Sequence, residues 1–427
     1  MPICHNPTPS GWHTDSPRPL TRYLRRVAAF TTSLQVIPLL LSQFGPMLSA
    51  VLLAIGTAAW LGPAGRGQYS LVTSTANLIG QVAGLSLFIG AANAFHAHHP
   101  QAIRYLLTIS LRITATLWIL SLIVALIHTR VPRPSLTNWI FILLLSGFVV
   151  LQLYTSRTLQ GIGQSTTFAR LALLQAGISL FLGLPIAYIT HRPAGVIAAW
   201  AASLLITLVC ALWNLRTYFS TPDDTPLPPV IRTSVSAHIG TMGQQLLLRA
   251  DVPILSLIVP LASLGIYSIA SPVANIVFAI AEAVGLSLFG NSQSRRNQIS
   301  SHTLRRRLLM LYFAASIATA ACAWCVVIFA IPRFLPEYRS AITLIALILP
   351  GAIIQGYSRI TLSSLTAQSA QSATLRVGIC SALLAILYIP AAIIAGVTGA
   401  AIASSLIYIL QAAVVLQITR THERSRP

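Results

Sequence analysis

No lysine occurs anywhere in this chain of 427 residues. A phosphate-cradling GxxxxGK[ST] loop is therefore excluded, and with it ATP hydrolysis by that route. Acids are almost as scarce. Seven Asp and Glu stand against 27 basic residues, all of them arginine, for a formal net charge of +20. Asp251 and Glu282 are the only acids within apolar runs, and no paired carboxylates, HExxH or nucleophile-elbow serine supplies an acid–base, metal or acyl-transfer centre. The cysteines, Cys4, Cys210, Cys322, Cys325 and Cys380, form no secreted disulfide framework. Cys322 and Cys325 have CxxC spacing but sit in an apolar helix, where small packed residues are the simpler reading. No signal-peptide pattern precedes the first apolar run, which reads as a retained membrane anchor.

Apolar sequence fills the gap. Hydrophobic residues make up 55% of the chain and charged residues 8%, with a mean hydropathy of +0.76. Runs of twenty or more such residues cross a hydrocarbon core of about 30 Å at about 1.5 Å per residue. The expectation is an all-α, multi-pass protein of the cell membrane with about twelve spans, at 36–60, 68–94, 105–127, 136–156, 168–189, 194–214, 235–259, 265–289, 308–331, 340–358, 374–395 and 397–418. Gly and Pro punctuate the junctions, as at Gly62-Pro63, His99-Pro100, Arg192-Pro193 and Pro332.

Arginine placement gives the orientation. With the N-terminus in the cytoplasm, outward segments hold only Arg66, Arg130, Arg133, Arg192, Arg333 and Arg339, and Arg249 is intramembrane; every other arginine faces inward. This positive-inside bias places both termini in the cytoplasm. It also explains the charge without nucleic acid as a partner. The run Arg305–Arg307 reads as a topology anchor, with contact to anionic headgroups as the alternative. Residues 1–33 form a polar cytoplasmic segment, 34–215 a first lobe of six spans and 216–234 a cytoplasmic linker. Residues 235–418 form a second six-span lobe and 419–427 a tail. Exterior loops are short and house no catalytic domain, so the chain is not read as an enzyme.

The two lobes repeat one another. Gly67-Gln-Tyr69-Ser70, followed by Ala76-Asn77, recurs as Gly265-Ile-Tyr267-Ser268, followed by Ala274-Asn275, and each copy then reaches Gly-Leu-Ser-Leu-Phe, at Gly84–Phe88 and Gly285–Phe289. Two similar membrane halves are the usual plan of a transporter whose substrate path runs between them.

The segment from Leu61-Gly62-Pro63 to Tyr69-Ser70 resembles the LGPxGxGxYS stretch of polysaccharide flippases, of the multidrug/oligosaccharidyl-lipid/polysaccharide exporter superfamily. Arg249-Ala-Asp251 and Gly265-Ile-Tyr267-Ser268-Ile-Ala270 carry a similar likeness in the second lobe. Gly290 departs from the proline that family members often carry there, and twelve spans set the chain apart from the fourteen-span lipid II branch. The resemblance implies a V-shaped pair of six-helix lobes related by a pseudo-two-fold axis around a central cavity. It implies alternating movement of a lipid-linked oligosaccharide to the outer leaflet for capsule, exopolysaccharide or cell-wall glycan. It brings as partners membrane lipids, a coupling ion (proton or sodium) and polysaccharide assembly machinery, with no cofactor and no metal. A cation-coupled multidrug exporter of the same superfamily is the alternative. A membrane glycan polymerase or glycosyltransferase ranks behind it, for want of a large exterior loop.

Candidate residues follow from charge and polarity at membrane depth, where an Arg or Asp costs about 2.5–3.5 kcal/mol on insertion scales. Arg249 either lines the cavity and binds a diphosphate or forms a structural ion pair, with Glu282 as the nearest choice. Being two residues apart, Arg249 and Asp251 point away from each other on a helix. Asp251 and Glu282 are the candidates for ion coupling; Glu282 is otherwise a boundary residue. Gln244, Gln245, Gln355 and Arg359 are candidate sugar or phosphate contacts. Asn77 and Asn275 occupy matching positions and read either as glue between helices or as lining of a wet path. Arg66 and Gly67 are candidates for a gate or a plain turn in the glycine-rich exterior connection.

Overall fold

The structure is a computed structural model. It describes residues 19–130, 134–219, 228–294, 301–367 and 371–424, with side chains for 44–129, 135–219, 230–281, 309–362 and 372–421 apart from a few positions. The described residues are helical almost throughout, and nine of the helices are long and apolar enough to cross a membrane. Their outward faces are apolar: Phe181, Leu257, Phe329 and Ile394 are each more than 75% exposed. A water-soluble surface would not carry such a band. The chain is a multi-pass membrane protein.

The first helix, α1 (Pro19–Ala83), runs on as two arms across a break at Gly62, whose φ of 67° suits glycine alone. Pro63 reinforces the break, since a residue before proline is driven out of the α region. The second arm ends at Gly84–Ser86, where Leu85 and Ser86 take φ values of 47° and 48°, and α2 (Leu87–His96) completes the crossing. There follow α3 (Ala102–Arg130), α4 (Pro134–Gly161), α5 (Ser165–Thr190) and α6 (Pro193–Leu215). The second half opens with α7 (Pro228–Arg249) and α8 (Asp251–Ser256), interrupted at Ala250. It continues through α9 (Leu261–Ser294), α10 (Ser301–Phe334), α11 (Arg339–Ala367), α12 (Gln371–Ala385) and α13 (Tyr388–Arg424).

The expected spans fall on these helices with four corrections. Spans two and seven are each broken mid-course, at Gly84–Ser86 and at Ala250, and span eleven is divided between α12 and the start of α13. The boundary between spans eleven and twelve is only a kink inside α13, at Ala395 and Gly396. Pro332, expected at a junction, lies within α10. It sits near that helix's end, where few bonds are lost.

The buried apolar residues divide by half. One cluster joins Leu53, Tyr69, Val72, Ile142, Leu145 and Val196, and a second joins Leu87, Ile103, Tyr154 and Leu215. The largest runs from Leu247 to Tyr408 and borrows Ala58 from the first half. The molecule thus has two lobes, each with its own core. The linker's central residues, 220–227, lie outside the described residues.

Candidate functional site

Gly67 and Gly265 hold the same place in the two repeats, and they meet. A Cβ on Gly67 would stand 1.9 Å from the carbonyl oxygen of Leu261, and one on Gly265 would stand 1.9 Å from that of Pro63. Pro63 and Leu261 are themselves matching positions. Each glycine therefore touches the counterpart of its own neighbour, the reciprocal pattern of a two-fold contact. Backbone rests on backbone, and only hydrogen fits between.

Arg66 seals this contact. Its guanidinium is buried. Nε donates to Ser268 Oγ at 3.1 Å, Nη1 to Thr57 Oγ1 at 2.9 Å and Nη2 to the Ser268 carbonyl at 3.5 Å. The charge also lies 5.3 Å from the Tyr69 ring centroid, a cation–π distance. Beside it, Tyr338 Oη donates to the Ala58 carbonyl at 3.3 Å. The glycine-rich exterior connection predicts a gate or a plain turn at Arg66 and Gly67. The structure puts Arg66 one helical turn past Gly62 and enclosed, because acceptors far along the chain satisfy a charge that local sequence leaves alone. At the far end of span two, Ser86 Oγ lies 3.0 Å from His238 Nδ1 and 3.1 Å from Thr241 Oγ1, which brings α2 against α7.

The repeated tyrosine serves a charge in each lobe. Where Tyr69 faces Arg66, Tyr267 donates its hydroxyl to Asp251 Oδ2 at 2.8 Å. That hydroxyl lies 3.2 Å from Ser404 Oγ, to which Tyr388 Oη also donates at 3.2 Å. Asp251 is buried inside the second lobe, at the start of α8. Arg249, across the Ala250 break, is exposed, so the two take opposite environments.

The other candidates are spread more widely. Arg359 lies over the Phe278 ring at 4.4 Å, and Phe278 meets Tyr408 edge-on, which links this arginine to the aromatic wall around Asp251. Gln355 is buried and donates to Gln411 Oε1 at 2.5 Å, and Gln411 donates to Ser381 Oγ at 2.7 Å. Asn77 bonds its own helix through the Thr73 carbonyl at 2.8 Å, while Asn275 is exposed. Gln244 and Gln245 are half-buried on α7. Glu282 lies on α9, with its side chain outside the described residues. Sequence reasoning missed Thr57, Tyr338 and Ser404, and it met Ser268 only as part of the repeat. For Tyr267 a signal existed, since it stands in the repeat sixteen residues after a carboxylate.

No protein-family model matches the chain, and no curated protein matches it. Solved structures do. One, described as the inward-facing conformation of a multidrug resistance MATE family transporter of the MOP superfamily, aligns over 89% of this chain and 96% of its own, with 13% identity and a TM-score of 0.64. The fold is that of the MATE transporters. The MATE multidrug transporter DinF-BH, solved in complex with rhodamine 6G, aligns over 92% of this chain and 94% of its own at 16% identity, also with a TM-score of 0.64. An outward-facing MATE conformation aligns over 91% and 96%, at 13% identity and a TM-score of 0.58. The two lobes are those of a MATE-like fold.

Proposed function

We propose that the chain is an alternating-access flippase for a lipid-linked oligosaccharide carried on a diphosphate. The observation that carries this reading is the charge of the interior. Arg249 stands within span seven and Arg359 just past the end of span ten, whereas Asp251 is the one buried acid among the described residues and is already engaged by Tyr267. A cargo with a multiply negative headgroup suits guanidinium, which grips phosphate oxygens two at a time. Exposed Arg249 is the leading contact. Alternation is supported by the sealed Gly67–Gly265 end, a seam between lobes that a transport cycle would have to open.

A second reading is export of drugs. The solved neighbours speak for it more than for glycan transport, since they are multidrug transporters and one holds rhodamine 6G. Both can be measured in proteoliposomes. The flippase should move a fluorescent polyprenyl diphosphate sugar between leaflets and leave rhodamine 6G where it is. Arg249→Lys should keep part of that movement and Arg249→Ala should lose it. Rhodamine 6G export with no glycolipid movement would hand the chain to the second reading.

A further inference from the structure

We infer that a cavity inside the first lobe, which shares only Tyr69 with the contact between the lobes, receives the sugar portion of a phosphorylated glycolipid, with Gln152 and Gln175 reading its hydroxyls and Arg157 at its rim. The assignment rests on the flippase reading and names a subsite for its cargo. The cavity measures about 410 Å³ and lies among α1, α4, α5 and α6. That volume falls in the usual range of small-molecule sites, about 300–1,000 Å³.

Its walls have a particular chemistry. Gln152 and Gln175 face each other, with Nε2 of the first donating to Oε1 of the second at 3.3 Å. Gln152 Oε1 and Ser156 Oγ have no hydrogen-bond partner, although the two residues are only 7% and 9% exposed. A buried amide oxygen left without a donor is costly, and native proteins seldom tolerate one without a reason. Side-chain rotation would present both atoms to a ligand in the cavity they line.

No carboxylate lines the cavity. A cationic ligand would find no counter-charge, so the missing donors are best supplied by neutral hydroxyls. Phe168 and Trp200 add aromatic faces on which the C–H side of a sugar ring can rest. Arg157 lies 5.4 Å from the Phe168 ring centroid and is exposed at the end of α4, so its positive charge sits beside the neutral chamber. Amides and aromatics in a chamber with a guanidinium at its edge match a sugar joined to phosphate.

The test is equilibrium binding to the full chain in lipid nanodiscs, with hexadecyl phosphoglucose and hexadecyl phosphate as probes. The sugar-bearing probe should bind the unaltered chain about tenfold more tightly, the scale of one or two good hydrogen bonds. Gln152→Leu should erase that preference and leave hexadecyl phosphate unchanged, while Arg157→Gln should weaken both probes alike. Equal affinities in the unaltered chain, which need no variant to fold, would overturn the assignment. So would a preference that survives both Gln152→Leu and Gln175→Leu. A chain that flips no glycolipid yet keeps the tenfold preference removes the proposed function and leaves the cavity assignment standing. One that flips glycolipid without any preference does the reverse.

Discussion

Asp251 illustrates how a carboxyl group can sit at membrane depth without facing water. Tyr267 of α9 donates to it, and a chain of hydroxyls continues behind Tyr267 through Ser404 to Tyr388 of α13. Removing the donor should be costly: Tyr267→Phe is expected to lower stability by about 1–3 kcal/mol, read as a drop in thermal unfolding temperature in detergent. Asp251→Asn should fold normally, because an amide oxygen still accepts from Tyr267. If Asp251 carries the coupling ion, that same variant should transport without the pH or sodium dependence of the parent, and an unchanged dependence removes Asp251 from coupling. Arg249 and Asp251 were legible in the sequence because a charge stands out in an apolar run. The hydroxyls behind Asp251 were less so: Tyr267 stands in the repeat, but Ser404 and Tyr388 lie more than 130 residues past the carboxylate and nothing local ties them to that charge. Gln152 and Gln175 escaped notice because they stand on successive helices, 23 residues apart, and meet only when α4 packs on α5.

Helices were readable wherever hydropathy alone decides, and the breaks inside them were not. The interruption at Gly62 follows from a glycine before a proline. The one at Gly84–Ser86 places Leu85 and Ser86 in a left-handed conformation that local propensity disfavours, so tertiary contacts set it: Leu85 packs against the core of the first lobe and Ser86 bonds α7. The α1–α9 contact gives the element-scale prediction. Gly67→Ala drives a methyl group into the Leu261 carbonyl, and overpacking of this kind costs about 1–3 kcal/mol. Because the strain falls on the closed arrangement, its population should drop about tenfold or more relative to any arrangement in which the two helices part. Cysteine crosslinking across that contact should slow accordingly; an unaffected rate would mean that the contact does not change during transport.

At the level of the whole molecule, two lobes with separate cores meet along α1 and α9 and, at the other end, along α2 and α7. Rocking requires these seams to open in turn. Spin labels at exposed Ala64 and Ala262, on the two helices of the first seam, should show a distance distribution that shifts when cargo is added. A single unmoving distribution would count against alternation. The repeats made the two-lobed plan legible, whereas the seam itself depends on residues 202 positions apart, such as Arg66 and Ser268.

The reciprocity at Gly67 and Gly265 makes the seam self-complementary: each lobe offers the other the same glycine and the same carbonyl. Separately expressed halves should therefore retain some capacity to find each other, and a side chain larger than hydrogen on either side of the axis is resisted equally.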